Sequence, residues 1–218
     1  MATSPIFVGT QKSKTATIDS NHSTRPVVVM AAGSSGARIH QQIACSSDAS
    51  ANTIKVYHCE KLTAQDAMGT GAFVDGGAGS DTITRSSGSF ITDGWKVGDL
   101  LIVSGSTTRA NDFAVRLTGV ASGTLTFVTG TVTTAENLPT GAMLYRGGQF
   151  QLSTLAANAG NVAGTTSFDL LSSTYAPEVD DTPYRYRTLG AYNAIAVALG
   201  TALGAGEYLD VTTAYADY

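Results

Sequence analysis

The chain has 218 residues, with 13 Lys and Arg against 17 Asp and Glu and a formal net charge of −4, and no basic run that could hold a phosphate backbone, so nucleic acid is not an expected partner. Charged residues make up only 14% of the chain against an ordinary share of about 25%, so much of the surface is expected to be covered by other subunits or proteins, although a secreted threonine-rich β protein would have the same composition. No stretch is long and apolar enough to span a bilayer, and Met1-Ala2-Thr3-Ser4-Pro5-Ile6-Phe7 lacks the charged start and apolar core of a signal peptide, so no membrane partner is expected and synthesis in a cytoplasm is.

Residues 1–25 carry little apolar periodicity and end in the polar run Asp19-Ser20-Asn21-His22-Ser23-Thr24 before Arg25-Pro26, a pair that disfavours helix. They read as an extended N-terminal arm. Such an arm is either a frayed end or a segment that orders on a partner, with Ile6, Phe7, Val8 and Ile18 as apolar anchors and Lys12 and Lys14 as charged contacts. Val27-Val28-Val29-Met30-Ala31-Ala32 follows as a short β-prone run stopped by Gly33-Ser34-Ser35-Gly36. Two further runs, residues 37–45 and 53–59, read as half-buried antiparallel strands, with Ile39, Ile43 and Cys45 on one parity and Ile54 and Val56 on another. Cys45 and Cys59, the two cysteines, lie on the arms of this hairpin. One register would set them opposite each other, but cytosolic assembly favours two reduced, buried thiols.

Residues 82–133 are written differently. Apolar residues alternate along Phe113, Val115, Leu117 and along Leu125, Phe127, with Asp-Gly, Ser-Gly and Gly-Asp breaks at short intervals, which predicts a small, tightly wound all-β module. Gly69-Thr70-Gly71 and Gly147-Gly148 read as flexible joints around it, so that residues 68–146 form an inserted domain and residues 26–67 and 147–218 one discontinuous domain. Phe150-Gln151-Leu152-Ser153-Thr154-Leu155 resumes the outer domain, and a polar stretch then carries Pro177, Asp180-Asp181 and Pro183. Ala194-Ile195-Ala196-Val197-Ala198-Leu199 and Tyr208-Leu209-Asp210-Val211-Thr212-Thr213 are the closing strands, with a turn at Gly204-Ala205-Gly206.

Few residues suit chemistry. His22, His40 and His58 stand outside any zinc-ligand spacing, and His58 and Cys59, being adjacent on a strand, point to opposite faces. Cys45 could meet His58 only in a particular register. Glu178, Asp180 and Asp181 could offer oxygens to calcium but lack the spacing of a dedicated loop, so a solvated loop is expected. Gly76-Gly77-Ala78-Gly79 leads into a strand, not a helix, and reads as a linker and not a phosphate cradle. No catalytic residue, metal or cofactor is expected. Tyr184-Arg185-Tyr186-Arg187 is the most contact-like stretch, and as a strand it would put both tyrosines on one face, either at a subunit seam or over the protein's own core. Trp95 is expected in the core of the module.

Three segments carry a resemblance. Ser89-Phe90-Ile91-Thr92-Asp93-Gly94-Trp95-Lys96-Val97-Gly98-Asp99, with the strands after it, resembles a small β-barrel module of tailed-phage head and tail proteins, over about a third of the chain. The run from Val27 through Gly36-Ala37-Arg38-Ile39 to Ile54-Lys55-Val56-Tyr57 resembles the first sheet of a β-sandwich found among phage head-decoration and minor capsid proteins. Leu203-Gly204-Ala205-Gly206-Glu207-Tyr208-Leu209-Asp210-Val211 and Asp217-Tyr218 are similar to the end of that sandwich. The chain departs from the pattern in the insertion of residues 68–146. The resemblance implies an all-β protein, an antiparallel, jelly-roll-like β-sandwich with an inserted small β-barrel and an extended N-terminal arm. It further implies a structural virion protein of a tailed phage, a capsid decoration or cement protein gathered as a trimer on the outer surface of the major capsid protein shell; Tyr184 and Tyr186, chosen for their residue type, are the candidate seam residues. The alternative is a neck, tail or fibre component whose inserted domain binds a glycan or host.

Overall fold

A computed structural model describes residues 11–21, 24–171 and 187–217. Among these the protein is all-β, and every strand pair is antiparallel. The strands are β1 Gln11–Asp19, β2 Val27–Ala31, β3 Ala37–Ser46, β4 Asn52–Ala64, β5 Gly71–Val74, β6 Asp81–Arg85, β7 Leu100–Ser104, β8 Ala114–Ala121, β9 Thr124–Phe127, β10 Glu136–Asn137, β11 Met143–Leu155, β12 Phe168–Asp169, β13 Arg187–Leu189, β14 Ala194–Leu199 and β15 Tyr208–Asp217. One sheet has the order β1-β15-β3-β12, with β13 also on β3; the other runs β10-β5-β6-β9-β8-β7-β11-β4-β14-β2.

The first sheet packs on the β2, β14, β4 and β11 end of the second. Their alternate side chains meet in a core that includes Ile39, Ile54, Val56, Leu155, Ile195, Val197, Leu209 and Val211. A second core fills the inserted lobe, where Phe113 packs edge-on against Phe73 at 5.9 Å and lies tilted against Phe127 at 5.3 Å between ring centroids. β4 and β11 connect the two. Each runs 13 residues, and their ladder extends from Leu155 opposite Asn52 in the sandwich to Met143 opposite Ala64 in the lobe, where β7 joins β11. On the other face of this ribbon Tyr57, Cys59, Ile102 and Tyr145 form a third cluster with Ala194, Ala196 and Ala198.

Four expectations change. Residues 11–19 are not a free arm but an edge strand, paired along its length with β15 from Gln11 opposite Ala216 to Asp19 opposite Tyr208. Ile18 is therefore no partner anchor: it points inward and is 1% exposed in the sandwich core, because the strand alternates and its inner face must be covered. Lys12 is held in an ion pair with Asp217. Gly147 and Gly148 are not a joint, since both lie inside β11, opposite Cys59 and His58. A β-bulge at His40, where Ala214 faces Gln41 but Tyr215 faces Ile39, shifts the parity of β3, so Ile39, Gln42 and Ala44 point inward while Ile43 and Cys45 are half-buried on the outer face. The ladders of the inserted lobe form an open path from β10 to β11, and no pairing among the described residues closes it into a barrel. Both thiols are free. Ile6, Phe7, Val8, Tyr184, Arg185 and Tyr186 lie outside the described residues, as does the acidic loop.

Candidate functional site

The β4/β11 ribbon buries one face at both ends and leaves it open between them. Ile54 and Val56 of β4 enter the sandwich core, His58 and Glu60 come next on that face, and Leu62, at a second bulge, packs on the core of the lobe. Gly148 stands opposite His58 and Arg146 opposite Glu60. With Asp99 from the turn before β7 and Arg116 from β8, they line a groove of about 320 Å³ between the two lobes.

The charges in the groove are interleaved and tied down. Arg146 donates from Nε and Nη2 to Glu60 Oε2 at 3.1 and 2.5 Å and from Nη1 to the Gly94 carbonyl at 3.5 Å, and Nη1 lies 4.0 Å from Asp99 Oδ2. Asp99 Oδ2 accepts the Lys96 N–H at 2.9 Å, and Arg116 Nη1 donates to the Gly98 carbonyl at 2.8 Å. His58 is held below its ordinary pKa by burial and by the charge of Arg187, which Glu60 only partly offsets, so the imidazole is neutral at pH 7. The groove thus presents donors and acceptors in fixed positions. Cys59, on the opposite face, has its thiol pushed up to about 12 by burial against a smaller opposing effect from the Ala196 backbone, and cannot serve as a nucleophile for His58. Among the described residues no three His, Cys, Asp or Glu side chains gather as metal ligands.

The motif around Trp95 has a structural use. Trp95 is 3% exposed, and its indole N–H donates to Thr63 Oγ1 at 3.1 Å, while the Thr63 hydroxyl donates to Asp93 Oδ2 at 2.6 Å. Arg85 completes the chain, donating from Nη1 to Asp93 at 2.5 Å and from Nη2 to the Ala67 carbonyl at 2.8 Å, with its guanidinium 4.6 Å from the Phe90 ring. This network fastens the loop to the end of β4. The glycine-rich loop meets an anion from within the chain: Gly76 N–H donates to Asp81 Oδ1 at 3.0 Å, and Thr131 and Val132 N–H donate to Oδ2 at 2.7 and 2.8 Å.

Arg187, a candidate interface residue in a stretch read either as a subunit seam or as a cover over the protein's own core, pairs as part of β13 with Ile39 of β3. Its side chain is half-buried beside His58, and burial lowers its pKa to about 10. The residues missed in the sequence are Glu60, Asp99, Arg116 and Arg146, which three strands and a turn bring together; the one available signal was a glycine pair inside an apolar strand. No family model matches the chain, and searches of curated proteins and of solved structures return no match. Among the described residues no helix is long and apolar enough to cross a membrane.

Proposed function

We propose that the protein is a structural virion component of a tailed phage, a decoration or cement protein that binds the outer surface of the major capsid protein shell as a trimer and stabilises it. The reading starts from the resemblance of residues 27–57, 89–105 and 203–218 to such proteins. The observation that carries it is the β4/β11 ribbon, paired from end to end apart from two bulges, which holds an inserted lobe on a β-sandwich without a glycine hinge. That construction suits a body fixed on a shell by one lobe and projecting the other. The low charge of the surface suits burial against neighbours.

The gripping element in this reading is β1, and its mode is strand addition. Among the described residues β1 ends its sheet with one side paired to β15, its outer edge can extend the ladder onto a capsid subunit, and exposed Lys14 adds a salt-sensitive attraction to an acidic shell. Three arms of a trimer would bind with a gain in effective concentration. The test is to add purified protein to capsids lacking it and to measure occupancy and the temperature at which the shells open. Saturable occupancy with a raised opening temperature is expected; no binding to intact shells contradicts the proposal. The groove favours a second reading, a neck, tail or fibre component that recognises a host surface.

A further inference from the structure

We propose that the groove between the lobes is a binding site for a neutral, hydroxyl-rich ligand, a mono- or disaccharide, with the bare backbone of Gly148 as its floor. The two glycines of β11 differ in what they accomplish. A Cβ on Gly147 would lie 2.4 Å from Ile102 Cδ1, so packing in the third cluster forbids a side chain there. Among the described residues a Cβ on Gly148 would meet nothing within 4 Å, and Gly148 is not in the left-handed region. Glycine weakens a strand interior and often marks a bulge, such as the one between Gln149 and Gln151 just beyond; Gly148 itself keeps its partner His58 in register, and a paired glycine under no packing constraint suits a place where another molecule approaches the backbone. Gly148 faces the groove opposite His58.

The surrounding groups select the ligand class. Phosphate or sulfate would meet Glu60 and Asp99, a metal cation would meet Arg116 and Arg146, with Arg187 beside His58, and an apolar ligand would find, among the described lining residues, only half-buried Leu100. A sugar hydroxyl both donates and accepts, which matches carboxylates alternating with guanidinium groups and a neutral imidazole. Those groups are pre-positioned, Arg146 by Glu60 and Arg116 by the Gly98 carbonyl, while Arg116 keeps further N–H donors for a ligand. A volume of about 320 Å³ lies at the small end of ligand sites, which fits a mono- or disaccharide.

The experiment is a titration of the full chain, followed by backbone amide NMR, with methyl α-glucoside, galactose, N-acetylglucosamine and their disaccharides at millimolar concentration, and with inorganic phosphate. At least one sugar is expected to shift the His58, Gly147 and Gly148 amides saturably, phosphate is not, and Arg116→Gln is expected to weaken the binding about tenfold. Gly148→Val is expected to abolish the shifts by filling the groove, and Gly148→Ala to raise the thermal midpoint. Saturation by phosphate alone, no saturable shift with any sugar, undiminished binding in Gly148→Val, or a lowered midpoint in Gly148→Ala would each overturn the proposal. None of these outcomes depends on shell binding, which is measured separately by capsid occupancy.

Discussion

At the scale of single residues, buried polar groups hold the inserted lobe together, and two of them give direct tests. Solvent does not reach Asp81; burial raises its pKa, but N–H groups of Val132, Gly76, Thr131 and Gly130 outweigh this and hold the carboxylate below its ordinary value. A depressed folded pKa contributes stability that is present above the unfolded value, near 4, and is lost as pH falls through the lower folded value. Asp81→Asn should cost about 1 to 3 kcal/mol at pH 7 and should flatten the acid limb of the stability curve below pH ~4, as measured by urea unfolding across pH. Gly88 tests the network around Trp95. It has φ +74°, and a Cβ there would lie 2.1 Å from Arg85 Nη2, so Gly88→Ala should destabilise by about 1 to 3 kcal/mol and lower the midpoint of near-ultraviolet melting of Trp95. Trp95 was legible as a core residue from its local motif. The role of Asp81 was not, because its acceptor oxygens are matched by amides of a loop far along the chain.

At the scale of elements, a short apolar run located β2 and the alternation of apolar residues located β4, β8, β9, β14 and β15, while alternation misplaced what depends on a partner strand. The bulge at His40 is set by pairing with β15, and one extra residue moves every later side chain of β3 to the other face, which is why Ile43 and Cys45 were assigned to the inner face with Ile39. β1 was read as an arm because its polar sequence shows little apolar alternation, and in the structure eight of its nine residues are indeed exposed or half-buried; its membership in the sheet comes from the β15 ladder. The groove was hidden for the same reason, since Glu60, Asp99, Arg116 and Arg146 meet only once β4, β7, β8 and β11 are side by side. Ile18 tests the β1 assignment: Ile18→Ala should cost about 2 to 4 kcal/mol in urea unfolding, as for a truncated core side chain, whereas an anchor on a free arm would cost nothing in the isolated protein. Removal of residues 2–25 should therefore destabilise the sandwich by uncovering one side of β15, and removal of residues 2–10 should leave β1 in place.

At the scale of the whole molecule, the all-β class and antiparallel pairing were legible from turn spacing and alternation. The junction was not, because glycines within a strand and glycines within a linker look alike in a sequence, and the paired β4 and β11 make this one a stiff ribbon. A chain with so little surface charge, carrying an open strand edge at β1, is expected to assemble: light scattering of the full chain should give the mass of a trimer, and a monomer at high concentration would remove the multivalent part of the account. The proposed shell role sets the copy number in purified particles. Quantified against the major capsid protein, hundreds of copies that rise and fall with the shell are expected; a few to tens of copies that track the tail would rule the shell role out.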